Sequence, residues 1–419
     1  MTHTKDLPTP ANPGPFGHAQ RKNFLFPEGY TQFNHGSFGT FPKSVQDAMI
    51  EWHQRAERNP DLWMRRDLYS SLKQLRTDLG DFLNCSADEL ALVTNTTQGA
   101  NTIIRSLDFQ PGDRILQFST GYVSVDKTVE YVCDTLDDVK IVQVPVTYPI
   151  SDEDLLKKVE ETVEAHRQLK DGSRIRLAIV DWISSVPSIL HPVHKLVDYL
   201  QGEGILVFVD GAHSIGQVPV DLTALHPDFY ITNAHKWLFS VRGSAVLYVA
   251  KRHQAKIHPT SITGDYKKGF DAEFAWSGTQ DYSSLMSISD ALKFRKQYGE
   301  DAIINYTHRL AVEGGAAIAK ILGTNTLTPD DHQVANMVNI RLPIHDFDHP
   351  TLKENPNYIM DLMFDKFNVF TPAFKHDGKW WTRVSAQIYL ELSDFVRLGN
   401  IWKEVCDDLN ALVLTNSRQ

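Results

Sequence analysis

Short apolar segments alternate with segments of helical period along most of the chain. An apolar run such as 205–209 is typical of a buried strand, and apolar positions three or four residues apart, as in 43–59, are typical of an amphipathic helix. The predicted strands are 89–95, 114–119, 139–146, 175–182, 205–209, 229–231 and 245–249, and the predicted helices between them include 70–83, 124–136, 152–168 and 194–201.

This alternation predicts βαβ units around a mostly parallel sheet, which makes the protein α/β. In such sheets ligands bind at the carboxyl ends of the strands. Several polar residues follow predicted strands directly, which predicts a functional site at this edge. They are Thr96, Tyr122, Ser184, Asp210 and Asn233.

The last third of the chain has a different pattern. A helical pattern that runs from about residue 284 past residue 294 predicts a long helix that could join two domains, and 327–383 mixes short strands with turns. We therefore expect an N-terminal arm that contributes to the site over 1–45, a large domain over 46–290 and a smaller α+β domain over 291–419.

Composition restricts the class of protein. The chain has 419 residues, 42% of them hydrophobic, and its net charge of −10 with a pI near 5.9 argues against nucleic acid or an anionic membrane as a partner. The N-terminal segment lacks the apolar core of a signal peptide, and no segment approaches the ~18 apolar residues of a membrane span. The three cysteines form no metal or disulfide motif. We expect a cytoplasmic enzyme without a metal.

Two charged residues at strand ends suggest a cofactor. Asp210 closes one apolar strand and Lys236 follows the next one. This arrangement favours pyridoxal 5′-phosphate (PLP), with Lys236 bonded to its aldehyde carbon and Asp210 at the pyridine nitrogen. A surface lysine and an unrelated capping acid are the alternative explanation.

The segment after the first strand could bind an anion. Thr96, Thr97 and Gln98 lie where a helix begins, so backbone N–H groups and hydroxyls could face a phosphate. An ordinary Ser/Thr cap has the same appearance.

Two further segments are open to more than one interpretation. Tyr122 lies beside glycine at a strand end, where it could stack on a flat ring, donate a proton or simply cover the core. The glycines that follow Asn34 and His35 predict a turn that a ligand could approach closely, or an ordinary turn.

Taken together, these motifs resemble the class V aminotransferase family of fold-type I PLP enzymes, from about residue 34 to 383. The match is strongest in Asp210-Gly211-Ala212-His213 and Asn233-Ala234-His235-Lys236-Trp237. Within the family the chain looks nearest to the isopenicillin N epimerase-like branch, which includes the fungal ergothioneine C–S lyase and the PLP enzyme of loline biosynthesis. The resemblance implies a large domain with a mostly parallel sheet and a smaller α+β C-terminal domain.

The resemblance also implies a role for each matching residue. Lys236 would be the Schiff-base lysine, Asp210 would keep the pyridine nitrogen protonated, and His213 would lie near the 3-oxygen of the ring. Thr279 would reach the phosphate of the neighbouring subunit's cofactor, which implies a homodimer with the site at the subunit interface. The remaining cofactor contacts would be Thr96, Thr97, Gln98, Asn233 and His235, with Tyr122 stacked on the ring.

The substrate side of the site is implied in the same way. Arg383 would bind the α-carboxylate of an amino acid, with Asn34 and His35 as further substrate contacts. Trp182, Leu390 and the segment after Tyr122 depart from the relatives' pattern, and we expect all three to line the site.

Several reactions are compatible with these residues. We expect a PLP enzyme of specialised (secondary) amino-acid metabolism that cleaves a bond at or near Cα, either by C–S β- or γ-elimination or by decarboxylation with ring closure. Lys236 would be the general base and Tyr122 a proton donor. The alternatives are an ergothioneine-type C–S lyase or cysteine desulfurase, an aminotransferase or epimerase, and a non-catalytic binding protein on the same fold.

Overall fold

A seven-stranded sheet forms the centre of the molecule. The structure, a computed structural model, describes residues 14–344 and 357–416, with the backbone alone from 412. The strands of the large sheet are β1 (Leu90–Val93), β2 (Asp113–Phe118), β3 (Lys140–Val144), β4 (Arg174–Asp181), β5 (Leu206–Asp210), β6 (Phe229–Asn233) and β7 (Ala245–Val249).

The strand order is β1-β7-β6-β5-β4-β2-β3, and β7 alone in this sheet runs antiparallel to its neighbours. The central strands β2, β4, β5 and β6 therefore end at one edge. Because β4 and β5 pair with Asp181 opposite Asp210, the last residues of these two strands lie side by side. The predicted α/β architecture and its mostly parallel sheet are confirmed.

Helices cover both faces of the sheet, which explains why the strands are apolar on both sides. The helices of this part are α1 (His35–Phe38), α2 (Lys43–Arg58), α3 (Pro60–Leu62), α4 (Leu68–Leu83), α5 (Thr96–Ser106), α6 (Val123–Thr135), α7 (Asp152–Arg167), α8 (Val193–Gly202), α9 (Leu222–Leu225), α10 (Ala234–Trp237), α11 (Phe270–Ala275) and α12 (Ser283–Tyr298). Short 3-10 turns occur at His18–Asn23, Ala87–Glu89, Lys251–Lys256 and Asp331–Gln333, and a π-helical turn at Trp63–Asp67.

The C-terminal part has its own antiparallel sheet. Its strands β8 (Met337–Arg341), β9 (Ala373–His376) and β10 (Lys379–Ser385) are arranged β8-β10-β9. Its helices are α13 (Glu300–Leu322), α14 (Tyr358–Phe367) and α15 (Leu392–Asn416).

The predicted long helix after residue 284 is two helices. Gly299 ends α12 with a φ of 83°, a left-handed conformation that breaks the helix, and α13 starts at the next residue. The predicted domain boundary at 290 falls inside α12 and stays a prediction. No helix among the described residues is long and apolar enough to cross a membrane.

The N-terminal segment packs on the C-terminal part. Phe24 and Phe33 are buried in one apolar cluster with residues of α13, β8 and α15, and the Ser385 N–H donates to the carbonyl oxygen of Phe33. Residues 1–13 of the predicted arm lie outside the described residues. The turn predicted after Asn34 is the single helical turn α1, which runs up to Gly39.

Candidate active site

A cavity of about 180 Å³ opens where the central strands end. Eight of the thirteen predicted site residues contribute to its wall. Those that line it are Thr96, Thr97, Tyr122, Asp210, His213, Asn233, His235 and Lys236.

Lys236 lies in α10, the short helix directly after β6. Its side chain is fully buried, and burial lowers the pKa of the amine from 10.5 to about 7, with a further contribution from the positive charge of Arg383. The negative charge of Asp210 acts in the opposite direction. A substantial fraction of this lysine is therefore a neutral amine at neutral pH, the form that attacks a carbonyl carbon or takes up a proton.

The hydrogen bonds of His213 define its tautomer. The indole N–H of Trp237 donates to His213 Nδ1 at 3.1 Å, so Nδ1 is an acceptor. Burial lowers the pKa of His213 well below its ordinary value, which keeps the ring neutral with its proton on Nε2. Because Nε2 lies 3.1 Å from Lys236 Nζ, its N–H donates to the lone pair of the neutral lysine.

Asp210 presents a carboxyl group at the floor of the cavity. Its side chain is buried, and Oδ1 accepts the Ala212 N–H at 2.9 Å. Burial raises the pKa of Asp210, whereas the Ala212 bond and the charge of Lys236 act to lower it. A cationic ring nitrogen placed beside Asp210 would satisfy this buried acid.

The first turn of α5 forms the anion-binding end of the cavity. Asn95 caps the helix by accepting the Gln98 N–H at 2.8 Å, which leaves Thr96 and Thr97 on the cavity wall. Asn233 accepts the Thr96 N–H and donates to the Thr96 hydroxyl, so its amide is used to position Thr96.

His235 also lines this end. Its Nδ1 lies 3.1 Å from the Ser244 carbonyl oxygen, which can only accept, so Nδ1 carries a proton. Burial lowers the pKa of His235 to about 4. The neutral ring then offers only a lone pair on Nε2, and His235 must gain a proton before it can donate to a phosphate.

Two of the predicted phosphate contacts lie off the cavity wall. The side chain of Gln98 points back along the chain, where its oxygen accepts from the N–H and hydroxyl of Thr94. Thr279 is exposed and does not contribute to the cavity of its own chain. Its predicted role toward a neighbouring subunit stays a prediction.

Arg383 is a fully buried cation that has no acidic partner among the described residues. Its guanidinium donates to the Ser185 carbonyl at 2.7 Å, to Ser37 Oγ at 2.8 Å and to Asn34 Oδ1 at 3.1 Å, and Nε has no partner among the described residues. Burial lowers its pKa to about 10. Ser37 and Ser185 line the cavity whereas Arg383 itself does not, so the guanidinium lies behind these two serines.

His35 does not face the cavity, in contrast to its predicted role as a substrate contact. Its Nε2 donates to the Lys236 carbonyl oxygen at 2.7 Å, and Nδ1 accepts from the Tyr389 hydroxyl at 2.9 Å. Burial lowers its pKa to about 4, so the ring is neutral. A side chain at Gly39 would overlap the His235 carbonyl, which shows that this glycine-rich motif packs against the lysine loop.

Two other expected cavity residues belong to the core. Trp182 directly follows β4 and is buried on the side opposite to Asp181, packed edge-on against Tyr230, and Leu390 is fully buried in the C-terminal cluster. Side chains alternate along a strand, so the residues beside Trp182 face the cavity and Trp182 cannot.

Comparison with known proteins identifies the family. The model of the class V aminotransferases matches residues 39–353. The chain belongs to this family. It is 32% identical to the L-cysteine desulfhydrase-like protein lolT1 of Epichloe uncinata (94% of this chain, 97% of that one) and 28% identical to hercynylcysteine sulfoxide lyase of Schizosaccharomyces pombe (93% and 98%). A solved C-DES variant with glycine covalently linked to its PLP cofactor has a TM-score of 0.73 at 18% identity, covering 92% of this chain and 99% of that one.

As a class V aminotransferase family member, the chain is a PLP-dependent enzyme, and its cavity fits that cofactor. A neutral lysine, a buried acid and a helix N-terminus lie around one cavity, and they match the aldehyde, ring nitrogen and phosphate of PLP.

Sequence reasoning missed Asp181, which lines the cavity beside Asp210. The available signal was an acid that closes the buried strand 175–182, the same signal that identified Asp210. Ser37, Phe38, Ile183 and Ser185 also line the cavity and were not predicted as site residues.

Proposed function

We propose that this enzyme is a C–S lyase that breaks the Cβ–S bond of an S-substituted cysteine, or of its sulfoxide, by β-elimination in specialised amino-acid metabolism. Bound PLP would withdraw electrons from Cα of the substrate. The substrate would lose its Cα proton, the sulfur would leave with the electron pair of the Cβ–S bond, and hydrolysis would release pyruvate and ammonia.

The observation that carries the proposal is the unpaired guanidinium of Arg383. A substrate carboxylate placed beside Ser37 and Ser185 would lie next to this guanidinium and form an ion pair with it, so the substrate would keep its carboxylate and a different bond would break. Lys236, with a pKa of about 7, is suited to take up the Cα proton. Tyr122 lines the same cavity and could donate a proton to the departing sulfur.

The two relatives compared above support chemistry at sulfur, since one is named for cysteine desulfhydrase and the other for a cysteine sulfoxide lyase. The cysteines of this chain argue against a desulfurase that would carry sulfur on its own thiol. Cys85, Cys133 and Cys406 all lie off the cavity, and burial raises the pKa of each thiol.

The test is product analysis with the PLP-loaded enzyme. S-alkyl cysteines and their sulfoxides should yield pyruvate, ammonia and the sulfur fragment in equal amounts, and the Lys236→Ala variant should yield none. Release of CO₂ without pyruvate would replace the proposal with decarboxylation. Accumulation of the pyridoxamine form of the cofactor with amino donor alone would replace it with transamination.

We also propose a homodimer in which Thr279 reaches the partner's cavity. The exposed apolar residues support this arrangement because Phe38, which lines the cavity, and Val123, next to the cavity residue Tyr122, are 66% and 62% exposed and could be covered by a second copy. Sedimentation should show a dimer, and Thr279→Ala should weaken PLP binding. A monomeric enzyme with full PLP affinity would rule the arrangement out.

A further inference from the structure

Two acids end neighbouring strands at the floor of the cavity. Asp181 closes β4 and Asp210 closes β5, and the two residues are register partners in a parallel pair. Register partners project from the same face of a sheet with their backbones about 5 Å apart, so the two carboxyl groups lie side by side, and the charge of Asp210 acts on Asp181. Both side chains line the cavity, and the residues are 7% and 3% exposed.

The surroundings of the two carboxyl groups differ. Asp210 accepts the Ala212 N–H and feels the positive charge of Lys236. The backbone carbonyl of Asp181 accepts a hydrogen bond from His191, and within the described part of the chain no hydrogen bond reaches its carboxyl group. The other charge that acts on Asp181 is Asp126 on α6, which is also negative.

Two adjacent buried carboxyl groups do not both ionise, because each anion would repel the other without water to screen it. The negative charge then resides on the group that accepts a backbone N–H, which is Asp210. The proton resides on the group without such a donor, which is Asp181. A protonated carboxyl is a hydrogen-bond donor, and the acceptor within reach is the carboxylate beside it.

We propose that Asp181 is a positioning residue that remains protonated and donates a hydrogen bond to Asp210, which holds the negative charge of the pair on the carboxylate that faces the cofactor's ring nitrogen. Loss of this donor makes Asp210 more basic, and the shared proton moves from the ring nitrogen toward the Asp210 carboxylate. The inference depends on the PLP site and not on which bond of the substrate breaks.

The first test uses the apoenzyme and needs no catalysis. The infrared difference spectrum between the wild type and Asp181→Asn at neutral pH should contain the carbonyl stretch of a protonated carboxylic acid. The matched control, Asp126→Asn, removes the third acid of this group. This variant should keep the absorption of the Asp181 carboxylic acid, so the difference spectrum between the wild type and Asp126→Asn should not contain the Asp181 band. A difference spectrum with ionised carboxylate bands alone would overturn the proposal.

The second test measures PLP binding and the state of its ring nitrogen. Asp181→Asn keeps a donor of the same shape and should bind PLP within about 3-fold of the wild type, whereas Asp181→Leu should raise Kd by about 10-fold or more, as expected for a lost bond to a charged group. With PLP labelled by ¹⁵N in the ring, the nitrogen resonance should move toward the unprotonated value in Asp181→Leu alone. Gln117→Leu, at a buried polar position of β2 away from the cavity, controls for the swap to leucine.

Each pattern of results decides the role of Asp181. If Asp181→Asn binds PLP as poorly as Asp181→Leu, the charge of Asp181 is what matters and the proposal is wrong. Wild-type binding and resonance position in both variants would also overturn it. If Asp181→Leu does not fold, the infrared band and the PLP affinity of Asp181→Asn still test whether Asp181 is a protonated donor. A confirmed band with no lyase activity would reject the proposed function while this inference stands.

Discussion

Replacing Arg383 by glutamine should remove most of the activity and lower the stability of the apoenzyme only slightly. Loss of a buried arginine normally destabilises a protein, because its partner is left as a buried, unpaired charge. Within the part of the chain that the structure describes, Arg383 has no such partner, and its neighbours are the neutral groups of Ser185, Asn34 and Ser37. The burial of the Arg383 charge therefore lowers the stability of the apoenzyme until an anion binds.

The magnitude of each term follows from the structure. Burial lowers the Arg383 pKa from 12.5 to about 10, which at ~1.4 kcal/mol per pKa unit is about 3 kcal/mol against the charged form. Glutamine carries no charge, so the Arg383→Gln variant does not have this cost of burying a charge. It also loses the hydrogen bonds to the three neighbours, worth at least ~1.5 kcal/mol each for a charged donor, so the net loss should be only about 1–2 kcal/mol. A substrate carboxylate would lose its ion pair, about 3 kcal/mol, or a factor of ~10² in kcat/KM.

Urea denaturation of the apoenzyme and steady-state kinetics of the PLP form measure both quantities. Arg295→Gln is the matched control, since Arg295 is equally buried but paired with Glu300 and bonded to the Trp237 carbonyl. That variant should lose ~3–5 kcal/mol of unfolding free energy. An Arg383→Gln variant that is destabilised like the control, or that keeps wild-type kcat/KM, would show that Arg383 is a structural residue.

Three further predictions concern protons at the site. Lys236 has a pKa of about 7 when folded and 10.5 when unfolded, so the unfolded chain binds more protons between these values and apoenzyme stability should rise by up to ~1.4 kcal/mol per pH unit there. The stability of Lys236→Met should not rise with pH in this way, and this variant should be more stable than the wild type near pH 7. If urea titrations give the same dependence of stability on pH for the wild type and Lys236→Met, Lys236 is not a buried neutral amine. Tyr122→Phe should lower kcat by ~10² while PLP stays bound if the phenol is the acid, and an unchanged rate in the product assay would leave ring stacking as its role. His235 has a pKa of about 4 and should take up a proton when pyridoxine 5′-phosphate binds. Above pH ~7 the phosphate is already a dianion, so the affinity for pyridoxine 5′-phosphate should fall as the pH rises and protons become scarce. Calorimetry in two buffers of different ionisation enthalpy should detect this uptake, and His235→Asn should abolish it; no uptake by the wild type would refute the role.

The sequence was sufficient for the sheet and for the edge that carries the site. Buried parallel strands require continuous apolar runs, and these are visible without a structure. The rule that ligands bind at carboxyl ends then selected Tyr122, Asp210 and Lys236 correctly as residues of one cavity.

Side-chain direction was the part that sequence could not supply. Asp181 closes β4 and Trp182 directly follows it, and a shift of one residue decides which of them faces the cavity. Gln98 is likewise in the correct helix turn, but its side chain turns back to Thr94. Such choices depend on register and on local hydrogen bonds, which a periodic pattern does not contain.

The role of His35 depends on contacts with residues more than 200 positions away in the sequence. The local motif does not contain these contacts, so it predicts only a turn that a ligand could approach. Asn34 and His35 are adjacent, yet one binds the Arg383 guanidinium and the other binds the backbone carbonyl of Lys236. The one helical turn of α1 therefore connects the group that fits a substrate carboxylate to the residue that carries the amine. Because the Tyr389 hydroxyl supplies the donor for His35, the C-terminal part contributes to this connection as well. The spacing between carboxylate site and lysine is thus set by side chains from three distant segments, and a shift of any one of them would misplace Cα relative to the lysine amine.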